Sequence, residues 1–242
     1  MVRSRLCSVD SGVSTPILTY ARGVTDGVAA APRKLTAKGR ATRARIVEAA
    51  AELVFAHGVA RTGIDDVRAR AGVSASQLYH YFTDKDDLVR AVIAHQTDGI
   101  LDAQQPLLDH LDSFEALERW RDLLVDLQEQ RHCQGGCPIG SIAAELADDD
   151  PEARADLAAG FERWEAPIRA GLARMRDRGE LRPDTDTDGL ALALLAALQG
   201  GLVLTQTRRS AEPLRTALDA MIAHVRASAT RPTGERAGRS GA

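Results

Sequence analysis

The chain has 242 residues and a mass of 26.0 kDa, which is enough for one large domain or two small ones with a sizeable core. Aromatic residues make up only 4% of a composition rich in Ala and Leu, which favours helices over a β-sandwich or barrel. Three cysteines argue against a secreted disulfide framework, and the sequence has neither a secretory signal nor a run of about 18 apolar residues. We therefore expect a cytoplasmic protein that has no transmembrane helix and does not contact a membrane.

The formal net charge of −3 conceals an asymmetry along the chain. Residues 33–90 carry 11 Lys and Arg against 7 Asp and Glu, a charge of +4, whereas residues 91–227 carry 14 against 24, a charge of −10. A basic segment joined to an acidic one indicates that only the first part meets a polyanion. Charge alone is a weak indication, because many solvated helix faces are basic.

The pattern of apolar residues predicts helices from about residue 36 onward. Residues 1–35 show no sustained period and are expected to form a disordered extension, as are residues 228–242 at the other end. The first predicted helix runs from about Ala37 to His57 and stops at a glycine. Two short helices follow, Ile64 to Ala71, capped by Thr62 or Gly63, and Ala75 to Tyr81.

The acidic half continues the helical pattern. Ser113 is expected to cap one helix, and Asp150-Pro151 opens a long one that Pro167 is expected to kink. The last two helices open near Thr187 and at Glu212. No segment predicts a strand, so we expect an all-α fold of about nine helices.

The two short helices and their Gly-containing turn form a helix-turn-helix arrangement over about residues 62–81. In this geometry the second helix lies in the major groove of DNA. The alternative is an ordinary core, since short helix pairs are common in all-α proteins. The composition of the second helix favours a DNA-binding role, because only Leu78 and Phe82 share an inward stripe. The side chains along its other edge are of types that can form hydrogen bonds: Ser74, Ser76, Gln77, Tyr79, His80 and Tyr81.

Several of these side chains have two interpretations. The phenols of Tyr79 and Tyr81 can donate to phosphate oxygens or can simply pack against the core. Gln77 can pair with adenine, but Ser74-x-x-Gln77 also fits a capping box in which the glutamine bonds back to its own cap.

Basic residues on either side complete the expected DNA surface. Lys85 lies in the first turn of a helix, where the helix dipole disfavours a cation unless a phosphate binds there. The alternative is a surface pair with Asp84 or Asp87. Three residues at the start of the first helix are expected to contact the flanking DNA backbone: Arg40, Thr42 and Arg43. A flexible arm could extend that contact through Arg33, Lys34 and Lys38.

The stretch RIVEAAAELVFAHGVARTGIDDVRARAGVSASQLYHYFTDKDDLVRAV closely resembles the DNA-binding domain of TetR-family transcriptional regulators over about residues 39–99. The AGVS turn, the LYHYF end of the recognition helix and the xKxxL entry to the next helix carry the resemblance. It implies a DNA-binding domain over 36–100 and a helical ligand-binding and dimerisation domain over 101–227. It also implies phosphate contacts by Tyr79, Tyr81 and Lys85, base contacts near Ala75, Ser76 and Gln77, and a backbone contact from Gly63 or Ile64.

The segments GCPIGSIAAELADDDPEARADLAAGFERWEAPI, GEL and LLAALQGGLVLTQTRR are similar to the sensor half of regulators of multidrug efflux and flavonoid-responsive genes. This resemblance implies a small apolar effector. Large apolar and aromatic side chains suit such a pocket, although each of them could equally be core. The expected pocket residues are Leu101, Trp120, Leu124, Cys137, Ile139, Phe161, Trp164 and Ile168.

The last two helices carry narrow apolar stripes that include small residues. Two such helices from each of two subunits can pack as a four-helix bundle, so we expect a homodimer that reads a palindromic DNA operator. The expected interface residues are Leu190, Leu194, Ala197, Leu198, Gly201, Leu214, Leu218, Met221, Ile222 and Val225. The sequence predicts a repressor that the effector releases from DNA.

Three other interpretations stay open at this point. A thiol-based redox sensor could use Cys133 and Cys137, whereas zinc would need a fuller ligand set than these residues and His132 supply. An activator of the same fold is possible, because the sign of regulation depends on where the operator lies. An enzyme is disfavoured, since nucleophile-elbow, P-loop and dinucleotide motifs are absent, and we expect no cofactor and no metal.

Overall fold

The computed structural model describes residues 35–230, which form helices joined by short connections. Nine α-helices and one 3₁₀ turn follow one another there: α1 Ala37–His57, α2 Ile64–Ala71, α3 Ala75–Tyr81, α4 Lys85–Asp102, the 3₁₀ turn Leu107–His110, α5 Phe114–Gln130, α6 Pro138–Leu146, α7 Pro151–Asp177, α8 Thr187–Arg208 and α9 Glu212–Ala227. The prediction of an all-α fold of about nine helices is confirmed. The extended pairing in this range is a single bridge between Leu181 and Ala229.

Side-chain caps explain where the helices begin. Ser113 Oγ accepts the Ala116 N–H at 3.1 Å, and Asp150 caps α7 with Pro151 in its first turn. Of the two residues expected to cap α2, the structure selects Gly63, while Thr62 is buried and donates to the Gly58 carbonyl. The turn between α2 and α3 depends on Gly72, whose φ of 63° lies in the left-handed region that glycine tolerates.

The three N-terminal helices pack around a small apolar core. Ile46, Ala50 and Val54 line the inner face of α1, as the periodicity predicted, and α2 and α4 cover that face. Leu78 and Phe82 are both buried, which confirms that they form the inward stripe of α3. α4 continues from this bundle and packs on α1, α6 and α7, so it joins the N-terminal helices to the rest of the molecule.

One expectation about the end of the chain was wrong. Residues 228–230 were assigned to a disordered tail, but the Arg182 N–H donates to the Ser228 carbonyl at 2.9 Å and the Thr230 N–H to the Glu180 carbonyl at 3.0 Å. A bend after α9 brings these residues beside the α7–α8 connection, which local sequence patterns do not reveal. Pro167 lies inside α7, and the helix continues on both sides of it from Pro151 to Asp177. A kink at this proline stays a prediction.

One described helix, α8, is long and apolar enough to cross a membrane by length and composition alone. An uninterrupted apolar run of about 18 residues is absent from this helix, because Gln199 and Thr205 break it. α8 packs on α7 and α9 and buries one side of its surface there, as a core helix does.

Candidate nucleic-acid interface and effector cavity

The recognition helix α3 begins with a reciprocal capping box. Ser74 Oγ accepts the Gln77 N–H at 3.1 Å, and Gln77 Oε1 accepts the Ser74 N–H at 3.0 Å. The capping alternative for Gln77 is thus confirmed. A base contact by Gln77 stays a prediction, and it depends on the side-chain NH₂, because the oxygen that would accept from adenine N6 already serves the cap.

The outer edge of α3 is accessible to a partner. Ser76, Gln77 and His80 are exposed, Tyr79 has 55% of its surface exposed, and Tyr81 is half-buried with its ring edge-on to His80. Ser74 is exposed at the cap and Ala75 is half-buried. The inward side chains anchor the helix, so these polar groups project from a fixed base. Their contacts with DNA remain predictions.

Lys85 forms a contact that neither interpretation of the sequence included. Its Nζ donates to the Val59 carbonyl at 2.8 Å and forms no ion pair with Asp84 or Asp87. Those carboxylates instead accept backbone N–H groups, Asp84 from Asp87 and Asp87 from Thr83. The surface-pair alternative was therefore wrong. An ammonium has three donors, so two remain for a phosphate while the third ties α4 to the turn that follows α1.

The start of α1 supports the recognition helix from the side. The Arg43 guanidinium lies over the Phe82 ring, 5.0 Å from its centroid, and is half-buried. Thr42 Oγ1 donates to the Lys38 carbonyl, and Arg40 is exposed. Arg33 and Lys34 lie outside the described residues. Arg43 therefore has a positioning contact that the sequence analysis missed, since no local pattern links it to Phe82.

Gly63 and Ile64 stand at the start of α2. The Gly63 N–H donates to Asp66 Oδ2 at 3.1 Å, and the glycine is exposed. Ile64 is half-buried against the core. A phosphate would compete with Asp66 for the Gly63 N–H, which makes Ile64 the freer backbone donor of the two.

Three polar contacts join the N-terminal helices to the helices of the acidic half. Glu145 Oε2 in α6 accepts the Ala60 N–H at 3.1 Å. Along α4, Arg90 pairs with Glu152 and Asp98 pairs with Arg163, both at 2.8 Å. None of these contacts could be predicted from local sequence, because the partners are more than 60 positions apart.

A cavity of about 200 Å³ lies among α4, α5, α6, α7 and α8. Of the residues expected to line a pocket, Leu124, Cys137 and Trp164 do line this cavity. The expectation was wrong for Leu101, Trp120, Ile139 and Ile168, because an apolar pattern marks burial without showing whether the neighbour is a side chain or a void. Trp120, Ile139 and Ile168 are buried in the core, and Leu101 is half-buried against it. Phe161 lines a separate groove on the other side of Cys137.

Gln104 lines this cavity and is hydrogen-bonded to both tryptophans. Its Oε1 accepts from Trp120 Nε1 at 2.8 Å and from Trp164 Nε1 at 3.1 Å, and its Nε2 donates to the Ile100 carbonyl at 2.7 Å. All three groups are thus satisfied although Gln104 is buried. Both tryptophans were predicted as pocket residues, but the glutamine that bonds to them was not, since glutamine is most often a surface residue.

The stripe expected to form the dimer interface packs inside one subunit. Apart from Ala197 and Met221, which are half-buried, its residues are buried, and α8 and α9 pack extensively on each other: Leu190, Leu194, Leu198, Gly201, Leu214, Leu218, Ile222 and Val225. Helical periodicity identifies a buried face but not the chain that buries it, which explains the error. The outer face of α8 instead exposes Leu192, Val203 and Leu204.

Both thiols of the α5–α6 connection are buried and reduced. Burial raises the pKa of the Cys137 thiol above its ordinary value, even though the Gly140 N–H lies 3.4 Å from its sulfur. A raised pKa leaves less of the nucleophilic thiolate, so this geometry disfavours redox sensing at Cys137. Within residues 35–230 no three His, Cys, Asp or Glu side chains come together as a metal site.

Comparison with known proteins places both halves of the chain. Residues 46–92 match the family model described as bacterial regulatory proteins, tetR family, and residues 113–221 match the tetracyclin repressor-like C-terminal domain. The probable regulator ArpR of Pseudomonas putida is 28% identical over 69% of this chain and 81% of its own length. The repressor DhaR of Mycobacterium sp. strain GP1 is 26% identical over 71% of this chain and 86% of its own.

The uncharacterised regulator TtgW of Pseudomonas putida is 31% identical over 41% of this chain and 70% of its own length. Among solved structures, a TetR regulator from Chloroflexus aurantiacus superposes with a TM-score of 0.66 at 28% identity, covering 78% of this chain and 96% of that one. One from Cytophaga hutchinsonii gives 0.69 at 16% identity, covering 82% of this chain and 100% of that one. The chain therefore belongs to the TetR family of transcriptional regulators, which are DNA-binding proteins and not enzymes.

Proposed function

We propose that the protein is a ligand-responsive repressor that binds a palindromic operator as a homodimer and leaves it when a small effector binds. It acts in the cytoplasm and needs no cofactor. The relative DhaR is itself named a repressor. An activator differs only in the position of its operator relative to the promoter, so a reporter assay separates the two.

DNA reading is assigned to the outer edge of α3 and the groups beside it. Base contacts fall to Ser76 and the Gln77 NH₂, whereas Tyr79, Tyr81 and Lys85 hold phosphates. The exposed polar edge above the buried Leu78 and Phe82 supports this assignment.

The observation that carries the proposal is the span of α4. This one helix begins at Lys85, beside the recognition helix, and its second half lines the cavity through Gln96, Gly99 and Ile100. Eleven residues separate Lys85 from Gln96, about 16 Å at the usual rise per residue. An effector that displaces the cavity end of α4 therefore displaces the end that contacts Val59 and DNA. Coupling of about 1–3 kcal/mol is sufficient for a 5- to 150-fold loss of DNA affinity.

The outer face of α8 supports dimerisation. Leu192 and Val203 are 58% and 61% exposed, and the small Ala196 and Gly200 are exposed on the same face. An apolar stripe with small residues allows two helices to approach closely, and exposed apolar patches commonly mark interfaces. A two-fold dimer places its recognition helices about 34–36 Å apart, which is one turn of DNA.

Selection of bound sites from random duplex DNA tests the proposal. We expect a palindrome whose half-sites are centred about one helical turn apart. A promoter carrying the selected site should then be repressed in a reporter strain that expresses the protein. Selection of one unrepeated half-site would contradict the dimeric mode, and stimulation of the reporter would assign an activator.

A further inference from the structure

The cavity has one polar wall among apolar ones. Leu124, Leu127, Trp164 and Leu202 are among its apolar lining, whereas four lining residues carry amides or a charge: Gln96, Gln104, Gln128 and Arg131. A small number of placed polar groups in an apolar pocket fixes the orientation and chemical class of a ligand. The state of each polar group therefore shows what it could offer.

Two of the glutamines have protein partners. Gln104 uses both its oxygen and its NH₂ within the protein, as described above. The Gln96 NH₂ lies 3.4 Å from the Ala51 carbonyl, a long contact. Gln128 differs from both, because it is only 7% exposed yet its side chain forms no hydrogen bond with any residue of the described range. The Gln128 amide is not among the enclosed polar atoms without a partner in residues 35–230, so it stays accessible from the cavity that it lines and can bond to a ligand there.

Arg131 lies three residues after Gln128, at the end of α5, and so on the same side of the helix. It forms no ion pair with any carboxylate between residues 35 and 230. No Asp or Glu lines the cavity, so Arg131 leaves it with a positive charge. Across the neighbouring cleft, which Arg131 also lines, Glu52 already pairs with Arg70, and Glu48 lies beyond ion-pair distance of Arg131.

We propose that the effector is a small amphipathic carboxylate. Its acid group pairs with the Arg131 guanidinium and accepts from the Gln128 NH₂, and its apolar body lies against Trp164, Leu124 and Leu202. Guanidinium and carboxylate match as a two-bond fork, and such charge-assisted hydrogen bonds are the strong ones. Because Arg131 is exposed, the acid group keeps part of its hydration and avoids the full cost of burying a charge.

The cavity volume limits the size of the apolar body. About 200 Å³ is less than the roughly 300–1,000 Å³ of sites for drug-sized ligands, so a single ring with a short substituent suits it. This inference rests on the proposed function, because it names the effector class of that same regulator.

The test uses substituted benzoates as probes, each with its neutral amide: benzoate, 4-methylbenzoate and 4-isopropylbenzoate against the corresponding benzamides. Calorimetry measures the affinities of the purified full chain. Tryptophan fluorescence locates the binding, because both tryptophans of the chain contact Gln104 and one of them lines the cavity. We expect the best acid to bind about 10- to 100-fold more tightly than its amide.

Three variants identify the group responsible. Arg131→Gln should remove the preference for the acid over the amide, and Arg131→Lys should keep part of it, because an ammonium lacks the planar fork. Arg119→Gln is the matched control. It removes the same charge from an exposed position of α5 with no contact to the cavity, and it should leave the preference within about twofold.

The outcomes separate this inference from the proposed function. Equal affinity for acids and amides, an unchanged preference in Arg131→Gln, or no binding by any acid would overturn the carboxylate assignment. A protein that selects an operator but ignores every acid remains a DNA-binding regulator with another effector class. A protein that binds the acids through Arg131 but selects no DNA supports this site and contradicts the proposed function.

Discussion

Glu145 and Ala60 join the two halves of the molecule by one hydrogen bond. The Glu145 carboxylate in α6 accepts the Ala60 N–H at 3.1 Å, in the turn between α1 and α2. The same carboxylate packs against Gly58, where an added Cβ would come within 2.6 Å of its oxygen. Because α6 begins at the cavity and ends near this turn, the contact holds the N-terminal helices in one position relative to the cavity.

Replacing Glu145 with Ala should weaken operator binding. Without the carboxylate the α1–α2 turn has more freedom, so the free dimer spends less time with its recognition helices correctly placed. We expect an affinity loss of about 3- to 10-fold. Glu145→Gln keeps an acceptor oxygen and should lose less. Fluorescence anisotropy on the selected operator measures the effect. Asp149→Ala is the charge control, because it removes one carboxylate from an exposed position just after α6. Equal losses in the control and in Glu145→Ala would show that charge alone is responsible.

Replacing Lys85 with Gln should change the salt dependence of DNA binding. If each Lys85 neutralises one phosphate, the slope of log affinity against log salt falls by about one for each subunit that binds. The variant also loses the bond to Val59, so its melting temperature must be compared with that of the native protein. The control is Arg119→Gln, which removes one charge from an exposed position of α5, away from the expected DNA surface. An unaltered slope in a folded Lys85→Gln protein would exclude a phosphate contact.

The helix caps could be predicted from sequence because they are local. Ser74 and Gln77 are three residues apart, and Asp150 directly precedes Pro151, so residue type and spacing contain the whole interaction. The bond from Lys85 to Val59 joins residues 26 positions apart and has no such pattern.

The sensor half shows the limit of periodicity more clearly. Leu194 and Leu218 were correctly expected to be buried, but they pack within one subunit and not across a dimer. Trp120 was expected in the pocket because of its size, yet it fills core beside the cavity. Gln128 and Arg131 were overlooked, since only the fold shows that an amide without a partner and an unpaired cation meet at one void.

Replacing Val203 with Glu should convert the dimer to a monomer. Val203 is 61% exposed on the apolar face of α8, so the carboxylate is harmless in one subunit but would be buried without a partner between two. Light scattering should give about twice 26.0 kDa for the native protein and 26.0 kDa for the variant at micromolar concentration. The control Ala69→Glu adds the same charge to the exposed surface of α2. A dimeric Val203→Glu protein would place the interface elsewhere.

The buried thiols should react slowly in the folded protein. Burial raises the pKa of Cys137, so little thiolate forms at neutral pH and its reactivity should rise only at more alkaline pH than for a free cysteine. In a Cys7→Ser background, titration with a disulfide reagent follows Cys133 and Cys137 alone. We expect both to react at least about tenfold more slowly than in denaturant, with operator binding insensitive to peroxide. Rapid oxidation that abolishes DNA binding would restore the redox alternative.

Chemical protection of the selected operator tests the central claim most directly. Dimethyl sulfate methylates guanine N7 in the major groove and adenine N3 in the minor groove, so one experiment reports which groove is covered. We predict two patches of protected guanines, symmetric and centred about 10 base pairs apart, because two copies of α3 lie in successive major grooves. Protection confined to the minor groove, or a single unpaired patch, would contradict the account.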